Sequence, residues 1–183
     1  MEKRNVLFVM SSLRNGGAER SLVNLLQLLD YDRYNVDLLL FQNEGMFLKQ
    51  VPKAVNIISN CNKLYTLYDN NKAEALKHPY LSSIHMIGTF ISRKKTNSVA
   101  KSRQYRWEHF YKKIVPELTK EYDVAIAYMQ REQTYFLVDK VKAAKKIAWV
   151  HNEYSQLGHF KEMDLEYFEK VDKVVTISDL CAK

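Results

Sequence analysis

The chain opens on an unbroken apolar run. After Glu2-Lys3-Arg4, the segment Asn5–Met10 carries VLFVM. A run of this kind belongs to a strand buried on both faces. Ser11–Gly17 then turns polar and ends in a glycine pair. Over Ala18–Leu29 the apolar period changes. Leu22, Leu25, Leu26 and Leu29 fall on one helical stripe, and Glu19 stands in the first turn. Asp30–Arg33 reads as a turn and Val36–Phe41 as a second buried strand. A short helix is expected after Gly45 and is stopped by Pro52, and Val55–Ser59 supplies a third strand.

The pattern weakens over Cys61–Lys77. It resumes at Pro79–Ser92, where Tyr80, Ile84, Ile87 and Ile91 recur at three- and four-residue steps. Arg93–Ser102 reads as a basic link. Arg103–Lys120 is expected as one amphipathic helix, with Trp107, Phe110, Tyr111, Ile114 and Leu118 on its apolar stripe. Arg106, Lys113 and Lys120 lie on the opposite face. Strand and helix then alternate again through Asp123–Tyr128, Glu132–Val141, Lys146–Val150, Asp164–Lys170 and Val174–Ile177. Ser178-Asp179 has the form of a cap opening a further helix, so the chain is expected to be cut from a longer protein. The alternation predicts an α/β class: a Rossmann-like, doubly wound, mainly parallel sheet of six or seven strands with helices on both faces. One such domain over residues 1–183 accounts for the length.

Composition narrows the class. At 46% hydrophobic and 27% charged residues the chain is neither fibrous nor wholly disordered. It has no apolar run long enough to cross a bilayer, and its charged start is not a signal peptide. The reducing cytoplasm is therefore the expected compartment. The two cysteines, Cys61 and Cys181, fit no zinc spacing.

Charge changes the picture more. Arg93–Lys120 holds nine basic and two acidic residues, which accounts for the whole net charge of +7. An anionic partner is to be sought there or at a local phosphate site. Arg93, Lys94 and Lys95 follow directly on an apolar helix, the pattern of an interfacial helix with cations for lipid headgroups. The competing reading is a helix packed on the sheet with a solvated basic loop. Nucleic acid is not expected, because no recognised binding motif accompanies the charge.

Candidate chemistry collects where strands end. In a doubly wound sheet ligands bind beyond the carboxyl ends of the strands. Gly16 and Gly17 follow the first strand and precede a helix, whose free N–H groups suit a phosphate; a plain tight turn is the alternative. His151, Asn152 and Glu153 follow the Lys146–Val150 strand, and His151 can hydrogen-bond a hydroxyl. Arg131 follows the Asp123–Tyr128 strand. It either pairs with an anionic substrate or lies in solvent while Glu132 caps the next helix. Ser178 closes another strand, as a cap or a ligand contact. No nucleophile triad, HExxH or GxSxG occurs.

Taken together, VLFVMSSLRNGGAERSLVNLLQLL, YDVAIAYM, IAWVHNEY and VDKVVTISD resemble, in order and spacing, the N-terminal domain of retaining glycosyltransferases of family 4. The likeness covers most of the chain except about Cys61–Lys101. It implies the GT-B fold, in which an acceptor-side domain faces a donor-binding domain that this chain does not contain. By resemblance, Gly16 and Gly17 approach the diphosphate of a nucleoside-diphosphate sugar. His151 contacts the transferred sugar and is the catalytic candidate. Arg131, Asn152, Glu153 and Ser178 are acceptor-side candidates by location. The family needs no metal or other cofactor, and a saccharide or lipid-linked acceptor in surface polysaccharide synthesis of a bacterial type is implied. Two other classes stay open: another Rossmann-like nucleotide-binding enzyme, such as a dinucleotide dehydrogenase, and a non-catalytic binding module. Against the dehydrogenase, the first loop lacks GxGxxG and Asp37 falls inside the second strand.

Overall fold

The computed structural model describes residues 2–58, 62–68, 76–151, 158 and 160–178. Six strands form one sheet in the order β3-β2-β1-β4-β5-β6, and every neighbouring pair is parallel. They are β1 (Arg4–Met10), β2 (Tyr34–Leu40), β3 (Asn56–Ile58), β4 (Glu121–Ala127), β5 (Lys142–Val150) and β6 (Lys173–Thr176). The sequence order reverses between β1 and β4, so the sheet has its switch point there.

Alternation along the strands divides the core. Val6, Phe8, Met10, Val36, Leu38 and Leu40 face α1 (Gly17–Leu28) and meet Leu22, Val23 and Leu26. Leu7, Val9 and Leu39 face the other way. That second face is covered by α2 (Asn62–Tyr68), by residues of the helical segment that precedes β4, and by α5 (Glu132–Lys140), with Tyr167 of α6 (Lys161–Phe168) joining the same cluster.

The segment between β3 and β4 corrects several expectations. The helix α3 runs Pro79–Lys95, so Arg93, Lys94 and Lys95 form its last turn and not a link. Cations there complement the partial negative charge of the helix end. Ser98 then caps α4 (Val99–Arg106), its hydroxyl accepting from the Lys101 amide at 3.1 Å. The rod continues as a π-helical turn, Trp107–Tyr111, and a last turn, Lys112–Ile114. It stops short of the expected Lys120, because Pro116 forces Val115 into extended backbone. Trp107 and Tyr111 are buried as expected, but Arg106 turns toward α3 and donates to the Thr89 hydroxyl at 2.5 Å. The stripe expected for α3 is rotated. Leu81, Gly88 and Ser92 point inward, and Tyr80 and Ile87 are exposed. Gly88 permits the close approach of the two helices, since a Cβ there would sit 3.4 Å from the Phe110 ring.

The loops after β1 and β2 clamp each other. The Leu13 amide donates to the Glu44 carbonyl at 2.9 Å, and the Phe47 amide to the Leu13 carbonyl at 3.1 Å. Gly45 makes the clamp possible. Its φ is +129°, and a Cβ would lie 1.9 Å from the Leu13 carbonyl oxygen. This interlock fixes the rim above the β1 carboxyl end.

Candidate functional site

Parallel strands bring every carboxyl end to one edge of the sheet. Gly16-Gly17 after β1, Arg131 after β4, His151 after β5 and Ser178 after β6 therefore share that edge. Asn152 and Glu153 lie outside the described residues.

The glycine pair is not there for its backbone angles. Gly16 sits in ordinary extended conformation, with φ −150° and ψ 162°. Gly17 is the first residue of α1, and a Cβ on it would meet nothing within 4 Å. The absent side chain leaves open space in front of the helix N-terminus, whose first N–H groups lack intrahelical partners. Over Gly16 the space is taken, because the Glu19 carboxylate folds back onto it. A phosphate can enter only if Glu19 swings aside.

His151 leaves β5 on an aromatic ladder. Its ring lies 5.5 Å from Trp149 and 5.0 Å from Tyr128, which themselves stack at 4.9 Å. The Tyr128 hydroxyl is 3.0 Å from Ser21 Oγ of α1, so the ladder ties β4 and β5 to the helix behind the glycines. The His151 amide donates to Gln130 Oε1 at 3.3 Å. Burial pushes the imidazole pKa below the ordinary histidine value, against the opposing pull of Glu19. The ring is neutral at pH 7, with Nε2 buried and without a partner among the described residues.

Arg131 is neither solvated nor bland. Its φ is +74°, and it is the one non-glycine residue in left-handed backbone among those described. Such strain costs of order 1–3 kcal/mol and concentrates at functional positions. Glu132 behind it is buried and does not project to cap the helix end in solvent. It accepts from Arg103 Nε of α4 and lies 3.8 Å from Arg131 Nε. Burial opposes its ionisation, but the Arg103 and Arg131 guanidiniums outweigh burial and hold the carboxyl below its usual range. Arg103, Arg14 and Tyr68 were not singled out from the sequence. Arg14 adjoins the glycines and could have been; Arg103 reaches the rim only because α4 docks there.

Four of the five buried polar side-chain atoms without partners among the described residues belong to this rim: Tyr68 Oη, Gln130 Nε2, Arg131 Nε and His151 Nε2. Buried polar groups are ordinarily satisfied, so this concentration makes the rim the candidate site. Among the described residues no group of three or more His, Cys, Asp or Glu side chains is placed to hold a metal ion.

The cationic candidates lie elsewhere. Arg93, Lys94 and Lys95 are all exposed, and Lys94 Nζ rests 4.4 Å from the centre of the Phe90 ring. Tyr80, Met86, Ile87 and Phe90 are exposed beside them. No helix among the described residues is long and apolar enough to cross a membrane. Comparison with protein-family models, curated proteins and solved structures finds no match to this chain.

Proposed function

We propose that this chain is the acceptor-side domain of a retaining, metal-independent glycosyltransferase with a GT-B architecture. The observation that carries the reading is the unpartnered polar rim around His151 and Gly17, set at the switch point of an all-parallel sheet. The sequence resemblance supplies the reaction class. On this reading a hexose passes from a nucleoside-diphosphate sugar to a saccharide or lipid-linked acceptor. The donor-binding domain lies outside these 183 residues.

Each residue has a part in it. The free N–H groups of α1 face the donor diphosphate across the space left by Gly17. Neutral His151 donates to or accepts from a hydroxyl of the sugar in transit, on whichever nitrogen is not already held. Asp37 argues against a dinucleotide enzyme. It sits three residues before the end of β2, and its carboxylate is already bound by Lys120 at 2.9 Å and Tyr122 at 2.8 Å. It is not free for a ribose.

The outward face of α3 extends the reading to an anionic lipid surface. Between Glu74 and Glu108 the chain has no acidic residue, and no ion pair among the described residues involves Arg93, Lys94 or Lys95. Exposed apolar side chains beside uncompensated cations match a headgroup boundary and not bulk water.

The test is product analysis of the full-length protein with a panel of nucleoside-diphosphate sugars and with free and lipid-linked saccharide acceptors. A glycoside of retained anomeric configuration supports the proposal. Absence of transfer from every donor refutes it.

A further inference from the structure

The geometry points to an acceptor that carries an oxyanion, phosphoryl or carboxylate, seated between the carboxyl ends of β1 and β4 by Arg131, Arg103 and Arg14. This rests on the glycosyltransferase reading for the word acceptor, and on the pocket alone for the word oxyanion.

An open cavity of about 390 Å³ lies at this point of the rim, lined by Ser11, Ser12, Arg14, Tyr68, Arg103 and Arg131 among others. Each donor in it has capacity to spare. Arg103 gives Nε to Glu132 and nothing else among the described residues, leaving the terminal nitrogens of its guanidinium. Arg131 is 27% exposed, and its Nε stands 3.8 Å from Glu132, too far for a hydrogen bond. Arg14 is bound to Glu44 but 60% exposed at its side chain. Three guanidiniums against Glu132 and Glu44 leave the pocket with one excess positive charge.

Neutral donors complete the set. The Tyr68 hydroxyl is buried in the pocket wall without a partner among the described residues, and burial holds it protonated. Ser11 Oγ accepts from Gln133, which leaves its own proton to give. Planar guanidiniums with hydroxyl donors match the several lone pairs of a phosphoryl or carboxylate group. A neutral sugar would leave the one excess positive charge of the pocket without a counter-charge. The left-handed backbone of Arg131 holds its side chain at the pocket's edge, beside Gln130, whose side chain accepts from the His151 amide. An oxyanion held here places the rest of an acceptor next to His151.

The experiment titrates this chain with inorganic phosphate, glucuronate and glucose at constant ionic strength, by calorimetry and by thermal shift. Saturable binding of phosphate or glucuronate but not glucose is expected, and the tighter of the two names the group. Arg131→Gln and, as a variant on an exposed side chain with little risk to folding, Arg14→Gln should each weaken it roughly tenfold or more. Tyr68→Phe should weaken it less, and Lys53→Gln on the distant surface should not change it. If the folded wild-type chain binds neither anion, or if both arginine variants bind as well as wild type, the pocket is not an oxyanion site. If uridine diphosphate displaces the bound anion, the site belongs to the donor and the inference falls. Oxyanion binding that survives while the full-length protein transfers no sugar leaves the pocket standing and sinks the glycosyltransferase reading instead.

Discussion

Neutralising the last turn of α3 should detach the protein from anionic membranes and leave it folded. The perturbation is Arg93→Gln, Lys94→Gln and Lys95→Gln together, compared with Phe90→Ser alone. Each cation near an anionic leaflet contributes about 1 kcal/mol, so the triple change removes about 3 kcal/mol, or roughly 150-fold in affinity. Phe90 is 61% exposed, and full burial of such a side chain is worth about 1.5–3 kcal/mol. Its loss therefore costs about 1–2 kcal/mol, or roughly 5- to 30-fold. The two changes differ in kind. The charge effect vanishes on neutral lipid and shrinks within a Debye length of about 8 Å at physiological salt. The Phe90 effect persists in both. Glutamine keeps helix propensity but gives up about 0.3–1 kcal/mol of helix-end electrostatics per cation, so circular dichroism must show α3 intact. The assay is co-sedimentation with vesicles of pure phosphatidylcholine and with vesicles containing phosphatidylserine, at low and high salt. Wild-type protein that stays in the supernatant with anionic vesicles at low salt refutes the reasoning. So does a triple variant that pellets like wild type.

Three further outcomes are expected. Gly17→Ala meets no atom within 4 Å and should leave the melting temperature unchanged or slightly raised, while turnover of the full-length protein falls because the donor's space is filled; an equal loss of stability would make the glycine structural. His151→Ala should lower turnover roughly 5- to 150-fold, the value of one hydrogen bond of about 1–3 kcal/mol, with a smaller effect on the melt; full activity in a folded variant removes it from the site. Acid should destabilise the fold: burial raises the Asp37 and Glu132 carboxyl pKa values, but Lys120, Asn56 and Tyr122 at the first, and Arg103 and Arg131 at the second, outweigh burial and hold both low. With folded values below unfolded ones, their stabilisation is complete above about pH 4–4.5 and lost as pH falls further. Urea denaturation from pH 7 to pH 3 should show the decline, and Asp37→Asn should flatten it; a slope unchanged in that variant would contradict the assignment.

How far the sequence could be read follows from where each signal resides. Asn5–Met10 and Val36–Phe41 announce themselves because both faces of a central strand are buried, so every residue is apolar. The first half of β5 was missed because Lys142 and Lys145 look like loop. Those residues are strand by virtue of their pairing with β4, and Lys146 carries its ammonium 3.1 Å from the Val138 carbonyl. The register of α3 was misread for a related reason. Its inward face uses Gly88 and Ser92, small residues chosen by the approach of α4, while the larger Ile87 looks outward. A periodicity rule follows bulk and cannot see close packing. Ser102, buried and polar, likewise disguised the start of α4 as part of a link. Position after a strand was enough to place Gly17, Arg131 and His151 on the carboxyl edge of the sheet. Position could not select Arg103 or Tyr68, whose place at the rim depends on how helices dock.

That docking also joins the two surfaces assigned separately above. Arg103, in the second turn of α4, reaches Glu132 at the rim, so the N-terminal end of α4 points to the strands' carboxyl edge. The C-terminal end of α3, carrying Arg93, Lys94 and Lys95, precedes that end by only three residues. At the same corner Ser98 Oγ donates to the Gly158 carbonyl at 3.0 Å, and Lys101 lies 4.8 Å from the Phe160 ring centre. Both Gly158 and Phe160 belong to the connection that begins at His151. A polar latch holds this corner in place: Gln104 donates to Asp164 at 3.1 Å and accepts from the Phe160 amide at 2.7 Å. The cationic helix end, the His151 connection and the oxyanion pocket are thus fastened to a single element, α4. Weakening the latch by Gln104→Leu should then do what no single-site change does. It should reduce vesicle binding and anion binding together while the protein still melts cooperatively. Loss of one function with the other intact would show that α4 does not couple them.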